Sequence, residues 1–364
     1  MDLHIVPGVS AKDVADAHRM DVYIEKDHHC TCLTYWVDEP RGHVFCLIDA
    51  PSKESVVELH NRSHGLTPHK IIEVNPGLVQ SFLGRIKDPD LAQLTESGLP
   101  IIDDSSFRIL LTTLMEENYS FYEGMSSYEV QGGRRKRYEL LQKIIAAHLG
   151  SEAILEGDYF IASFVNVGDA LAAAQSIAGQ LAEISGLQHF NVSLHAGEAV
   201  QNADKLFGET IALSKALCAL QTLEKIRLSA AIKEMLTDDQ VLHWSKQAHI
   251  MPLQDEEMLA ALFETLENNY DNADFGIDQL TKDMAMSNSA MYRRCIAVTG
   301  YSPNDLLRDF RLARATQLIR LQKDSLTSVA YKTGFASPSY FGKCFRKRYG
   351  IMPIRFAEWA KHSV

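Results

Sequence analysis

Near the C-terminus a spacing of 50 residues recurs: Ser287, Gly300 and Pro303 are followed, at the same intervals, by Ser337, Gly350 and Pro353. Each member of the trio has a physical role. A serine hydroxyl accepts one of the unpaired N–H groups at a helix start. Glycine takes the left-handed conformation that closes a helix, and proline suits the first turn of the helix that follows. The trio thus predicts a capped helix after Ser287 and another after Ser337, each about 12 residues long. A shorter helix precedes each, over 277–285 and 326–333, with apolar residues at Ile277, Leu280 and Met284, then at Leu326, Val329 and Ala330. A short helix, a tight turn and a capped second helix make the helix-turn-helix plan, in which the second helix enters the major groove of DNA.

Within the two capped helices, Met291 and Cys295, and likewise Phe341 and Phe345, form the inward face. Ser289, Tyr292 and Arg293 then point outward from the first, and Ser339, Tyr340 and Lys343 from the second. Ala330 and Gly334 are small where the paired helices must approach. Between the units, 303–322 reads as one helix with Leu307, Phe310, Leu318 and Leu321 on an apolar side and Arg311 and Arg314 on a basic one. At 1.5 Å per residue it spans roughly 30 Å, near the ~34 Å between successive major-groove entries on one face of the duplex.

Charge follows the same division. From Asp271 onward there are 15 Lys and Arg against 8 Asp and Glu, a net of +7; the first 270 residues hold the remaining 21 against 39, a net of −18. A basic tail on an acidic body fits a polyanionic partner at one end only. Six cysteines without a repeated framework suit a reducing compartment. No apolar run reaches the ~18 residues of a membrane span, and Met1–Gly8 lacks the regions of a signal peptide. A cytoplasmic protein with no membrane partner is expected.

Upstream of the tail, alternation predicts strands at 2–6, 31–37, 43–50 and 70–74 and helices at 11–27 and 53–64. That βαββαβ order predicts one antiparallel sheet with both helices on one face, the ferredoxin-like fold. Pro89, Gly98, Pro100 and the run Asp103-Asp104-Ser105-Ser106 suit a linker with one short helix. A second mixed segment follows, with strands at 108–114, 153–165 and 190–199 and helices at 134–149, 168–185 and 209–221. From about Pro252 the pattern is helical only. The expected fold class is multidomain: an α+β ferredoxin-like domain (1–80), a linker (81–105), an α+β middle domain (106–245) and an all-α tandem helix-turn-helix domain (255–364).

His60 and His64, four apart on a predicted helix, place two imidazoles on one face. His4 on the first strand, His18 and Asp21 on the first helix and Cys46 on the third strand converge with them if both helices cover one sheet face. The candidate metal ligands are His4, His18, Cys46, His60 and His64, whose nitrogen and thiolate donors favour nickel, zinc or copper. A second group, His28, His29, Cys30 and Cys32, lies at a helix-to-strand turn.

Three stretches resemble known families. Gly334-Phe335-Ala336-Ser337-Pro338-Ser339-Tyr340-Phe341, then Phe345-Arg346-Lys347-Arg348-Tyr349-Gly350 and Pro353, resembles the C-terminal signature of AraC/XylS-type transcription regulators over about residues 270–360. That resemblance implies base contacts by Ser289, Tyr292, Arg293, Ser339 and Lys343 on a double-stranded operator. His18-Arg19-Met20-Asp21, Tyr35-Trp36-Val37-Asp38, Phe45-Cys46-Leu47, Ala50-Pro51 and His60 to Gly65 together resemble a small family of nickel-binding proteins with a dimeric ferredoxin-like fold. Nickel is thus the first choice of metal and zinc the second.

Arg108 to Leu114, Gly157-Asp158-Tyr159, His195-Ala196-Gly197-Glu198 and Phe207-Gly208-Glu209-Thr210 resemble the class III nucleotide cyclase homology domain over about 106–236. By that resemblance Thr113 stands for the first metal aspartate, Asp158 is the second, and Ala212 and Ala216 replace the transition-state asparagine and arginine. Two metal ions and those side chains carry the charge in such catalysis, so no cyclase activity is expected. The whole reads as a homodimeric regulator, with RNA polymerase as a further partner. A residual cyclase and a metal-storage protein tethered to DNA are the alternatives.

Overall fold

The computed structural model describes residues 1–89, 93–94, 100–117, 119, 121, 125, 127–184 and 187–360. The chain begins with β1 (Asp2–Ile5), α1 (Ala11–Ile24), β2 (Thr31–Asp38), β3 (His43–Asp49), α2 (Lys53–Ser63) and β4 (Lys70–Ile71). The four strands pair antiparallel in the order β2-β3-β1-β4, which is the ferredoxin-like arrangement. Ser10 opens α1 through a capping box with Asp13, and Ser52 opens α2. The first helix is shorter than expected: it tightens into a 3-10 turn over Glu25–His28, which His29 closes in the left-handed conformation.

Next, α3 (Pro76–Leu83) starts at Asn75, whose side chain accepts from Gly77 and Leu78, and stops at Gly84. It begins before the expected boundary at residue 80, and it is no free spacer: Val79, Phe82 and Leu83 are buried. Arg85 continues the docking by reaching Asp104, and Arg108 donates to the carbonyls of Phe82 and Leu83. Residues 81–105 are therefore packed at both ends, with a two-strand ribbon of β5 (Gln93–Leu94) and β6 (Pro100–Ile101) between; Gly98 lies outside the described residues.

The middle segment comprises β7 (Arg108–Glu117), α4 (Ser127–Ala147), β8 (Ser151–Glu156), β9 (Tyr159–Phe164), α5 (Val167–Leu181), β10 (Leu187–Gly197), α6 (Gly208–Cys218), β11 (Ile226–Leu228), α7 (Ala230–Glu234), α8 (Asp238–Trp244) and β12 (Ala248–Ile250). The strand expected over 153–165 is instead a hairpin, because Gly157 takes a positive φ and reverses the chain at Asp158. The sheet order is β12-β11-β10-β7-β9-β8. Its antiparallel part, β10-β7-β9-β8, repeats the strand order of the first sheet, and β11 and β12 extend it in parallel.

Alternation assigns the two faces. Ile109, Leu111, Phe160 and Ala162 point into a core with α4 and α5, whereas Leu110 and Ile161 point the other way. On that far side they share a core with Leu3, Trp36, Phe45 and Leu47, which are the helix-free face of the first sheet, and with Phe82 and Phe207. The helix-free faces of the two sheets are thus buried against each other within one chain, with α3 packed at their junction.

The tail consists of α9 (Leu253–Asn269), α10 (Ile277–Asp283), α11 (Asn288–Thr299), α12 (Pro303–Leu321), α13 (Leu326–Lys332), α14 (Pro338–Tyr349) and α15 (Pro353–Ala360). The repeat acts as its chemistry demands. Ser287 and Ser337 accept from the backbone at the starts of α11 and α14, Gly300 and Gly350 close them with φ of 78°, and Pro303 and Pro353 open the helices that follow. Met291, Cys295, Phe341 and Phe345 are buried. The first unit shares its core with α6 and α9, and the second gathers round Phe341, Phe345 and Phe356 together with Tyr119 of the middle segment.

Candidate DNA-reading surface and metal centre

Ser289, Tyr292 and Arg293 stand three and four residues apart on α11, so they share one face, and all three are exposed. Arg294, one position on, turns away to pair with Asp255 at 2.9 Å. On α14, Ser339 and Lys343 share the outer face with Tyr340, and Arg346 and Lys347 are exposed in the next turn. The two helices are joined by the 19 residues of α12. Buried aromatics behind α14 fix its outer face: the rings of Phe341 and Phe345 lie 5.6 Å apart, and Phe335 lies 5.2 Å from Phe341.

Gly334, in the turn between α13 and α14, has a different constraint from the expected helix–helix approach. Its φ is +73°, and a Cβ there would fall 2.1 Å from the carbonyl oxygen of Tyr270 and 2.7 Å from Arg311 Nε. That guanidinium donates to the carbonyls of Tyr270, Asn272 and Phe275, tying the end of α9 to α12.

A second constellation lies in the first sheet. Asp2 and His4 share one face of β1 by the two-residue period, Cys46 pairs beside Asp2 on β3, and His60 descends onto them from α2. Ligand atoms of these four buried residues all lie within 4.8 Å of one another, and Asp21, His60 and His64 form an overlapping group. His60 faces carboxylates through both ring nitrogens: Nε2 is 3.1 Å from Asp2 and Nδ1 is 3.2 Å from Asp21. Burial disfavours its charge, but those two carboxylates outweigh burial and push it up to about 9. Burial pushes His4 down to about 4, and its Nε2 has no hydrogen-bond partner among the described residues. Burial, then the neighbouring carboxylates, raises the Cys46 thiol well above its usual range. Asp21 is held below the usual carboxylate range by His60, His64 and Ser63 in spite of its burial.

This donor set fits a borderline transition metal. Two imidazoles, a thiol and a carboxylate converge, and the buried His4 Nε2 makes no hydrogen bond among the described residues, with Asp2 Oδ1 3.6 Å away. Of the five candidate ligands expected from sequence, His4, Cys46 and His60 fall in the first group and His64 in the overlapping one. His18 falls in neither: its Nε2 pairs with Asp88 at 3.5 Å and its ring packs on Tyr35. Asp2, which the sequence did not single out, joins this group from its place two residues before His4 on β1. His28, His29, Cys30 and Cys32 form no metal-sized group among the described residues.

In the middle segment, Thr113 is buried on the same face of β7 as Ile109 and Leu111, and its hydroxyl has no partner among the described residues. Asp158, at the β8–β9 turn, is engaged by Arg134 at 3.3 Å and by Arg320 of α12 at 2.7 Å. Ala212 is exposed and Ala216 is buried in the core that α6 shares with α9.

Comparison with known proteins finds matches at the two ends of the chain. Residues 280–358 match a family described as "Helix-turn-helix domain", and residues 1–74 match "Nickel responsive protein SCO4226-like". A histidine kinase of Formosa agariphila is 30% identical over 119 residues, covering 31% of this chain and 9% of the kinase. The transcriptional activator RhaS of Mannheimia succiniciproducens is 29% identical over 98 residues, covering 27% of this chain and 36% of the activator. The chain therefore spans little more than a third, at most, of these two relatives. The solved structure of SCO4226 from Streptomyces coelicolor is 32% identical, covering 20% of this chain and 90% of that one, with a TM-score of 0.19. No helix among the described residues is long and apolar enough to cross a membrane.

Proposed function

We propose that this chain, with an AraC-type helix-turn-helix domain at its C-terminal end and a SCO4226-like domain at its N-terminal end, is a transcription regulator that reads double-stranded DNA under the control of a bound transition metal. The observation that carries the reading is the pair of capped helices, α11 and α14, whose outward side chains are exposed while their inner faces are locked. Arg293 and Lys343 donate to guanine O6 and N7; Ser289, Tyr292 and Ser339 make shorter-range contacts to base edges. Arg346 and Lys347 contact phosphates, which position the helix without reading sequence.

Asp2, His4, Cys46 and His60 hold the metal, nickel before zinc, and Asp21 accepts from His60 Nδ1–H to fix the ring with Nε2 toward the ion. Those residues come from β1, β3 and α2, so holding an ion would tie the three elements together. His64 stands on the Nδ1 side of His60, 3.0 Å away, and belongs with Asp21 to this outer layer.

Between that centre and the tail, α6 contributes to two separate cores. Cys46 lies between Phe45 and Leu47, which share a core with Leu206 and Phe207 at the head of α6. Further along α6, Ala216 and Leu217 pack with Leu259, Met291 and Leu307. A ligand shifts such a system only by binding two arrangements unequally. Titrating operator affinity with nickel at fixed ionic strength tests the coupling: the account expects a change, and an affinity indifferent to nickel removes the metal from it.

The middle domain is a scaffold in this reading and no cyclase. Arg320 holds the surviving aspartate, Asp158, and Ala216 sits in a packed core with no charge to offer a phosphate. Its helix-free face is covered by the first sheet, so the homodimer pairs through another surface. RNA polymerase is the further partner of a regulator that activates.

A further inference from the structure

The two reading helices differ in chemistry at matching positions. The 50-residue repeat puts Arg293 of α11 at the place of Lys343 in α14, but it puts Tyr292 at the place of Gly342, Ile296 at that of Arg346, Ala297 at that of Lys347 and Val298 at that of Arg348. The run of cations that ends α14 thus has an apolar counterpart in α11, whose last turn holds no basic residue. The flanking charge differs in the same sense. From Leu326 to Gly350 there are five Lys and Arg and no Asp or Glu, whereas from Ile277 to Gly300 three cations stand against two carboxylates. One of those cations, Arg294, is engaged by Asp255, and one of the carboxylates, Asp278, accepts from Asn288 at the start of α11 at 3.2 Å. A carboxylate at that helix start repels a phosphate.

What α11 exposes instead is apolar. Tyr292 and Ile296, four apart and so neighbours on one face, are 54% and 41% exposed, and Arg293 stands beside them, three residues before Ile296. Met291 and Cys295 are wholly buried behind them, so the helix cannot rotate to hide the pair without opening its core. Its position is fixed at both ends: Arg294 meets Asp255 of α9 at 2.9 Å, and Gln221, after α6, donates its N–H to the Thr299 carbonyl at 3.0 Å. A helix held in this way can discriminate by shape, because its apolar side chains reach one depth in a groove.

On the face that carries Arg293, an apolar pair meets base edges, and the major groove presents one large apolar group to it, the C5-methyl of thymine. We propose that the two units differ in what they grip: α14 is held by phosphate charge, whereas α11 selects thymine methyl groups through Tyr292 and Ile296. This inference rests on the DNA-binding reading and adds to it the base class of one half of the operator. Burying one methyl group strengthens binding about fourfold. No charge is involved, so the selectivity of α11 persists at high salt while the grip of α14 fades.

Single thymine-to-uracil replacements across a genomic duplex retained by the full-length protein test it, since uracil keeps the pairing with adenine and lacks only the methyl group. At least one replacement is expected to weaken wild-type binding about fourfold, by the same factor at two salt concentrations. That loss is expected to vanish in Tyr292→Ala or in Ile296→Ser, and to remain in full in Lys347→Ala. Both apolar positions are exposed, and circular dichroism checks that the variants keep their fold. Indifference of the wild type to every replacement, or equal losses in the wild type and both variants, overturns the inference. If the variants keep the methyl dependence but change the sedimentation of the free protein, the face belongs to a second copy and the inference is overturned as well. Retention of no duplex at all removes the regulator reading together with the inference, whereas retention without methyl dependence removes the inference alone.

Discussion

Arg320, in the last turn of α12, meets Asp158 at the β8–β9 turn across 2.7 Å, and the guanidinium is largely buried there with its charge favoured by that carboxylate and by Tyr119. The helix that joins the two reading units is thereby fastened to the middle domain. Arg320→Met leaves Asp158 with Arg134 at 3.3 Å, so it is expected to lower stability by about 1–3 kcal/mol in denaturant titration, and Asp158→Asn in a double-mutant cycle is expected to show coupling above ~1 kcal/mol. Additive effects would mean the two residues do not depend on each other.

Gly334 supplies a second expectation, independent of DNA contacts. Its positive φ and the 2.1 Å approach to the Tyr270 carbonyl leave no place for a methyl group. Gly334→Ala should destabilise the full chain by about 1–3 kcal/mol, whereas alanine at the exposed Ser339 should change stability by less than about 0.5 kcal/mol. A melting temperature unmoved by Gly334→Ala would refute the packing described for this turn.

Metal uptake distinguishes residues that the sequence could not. His60→Ala and Cys46→Ser should abolish or sharply weaken nickel binding measured by equilibrium dialysis, and Asp21→Asn should weaken it roughly 10–100-fold through the lost hold on His60. His18→Ala should leave uptake unchanged, because His18 is committed to Asp88 and Tyr35. Loss of uptake in His18→Ala would return that residue to the ligand set.

Reading and positioning contacts separate by their dependence on sequence. Arg293→Ala and Lys343→Ala should each cost about 1–3 kcal/mol on the best operator and flatten its preference at one position. Lys347→Ala should weaken all duplexes alike and reduce the salt slope by about one. Competition against point-substituted operators, at two salt concentrations, makes the distinction.

His195 predicts an acid limit. Burial pushes it from 6.5 down to about 4, with the Glu256 carboxylate 3.9 Å from its Nδ1. The unfolded chain takes up a proton that the folded chain refuses. The stability contributed by neutral His195 is present above about 6.5 and is lost as pH falls toward about 4. His195→Gln should make that decline shallower, by at most about 1.4 kcal/mol per pH unit, in urea titrations between pH 7 and about 5.

Local chemistry made the tail legible. Ser, Gly and Pro at fixed spacing specify caps within a few residues, and Ser287, Ser337, Gly300 and Gly350 act through bonds that need no distant partner. The ferredoxin-like strand order was readable for a similar reason, since period-two alternation and element order suffice. Long-range placement was not readable. His18 shares a helix with Asp21, and only the tertiary position of Asp88 draws it away. Asp2 stood beside His4, but a single acidic residue on a short strand has no signature of its own. The mutual burial of the two sheets is apolar packing between separate domains, and the ion pairs that fasten Arg320 and Arg348 to the middle domain join residues more than 100 positions apart; no local pattern encodes either.

The salt dependence of duplex binding by the full-length protein tests the central claim most directly. Titrating its affinity for retained genomic fragments over a range of ionic strength should give a linear fall of log affinity with log salt, with a slope of several phosphates, as two basic helices in neighbouring grooves require. Retention of no fragment at any ionic strength, or retention insensitive to salt, would contradict it.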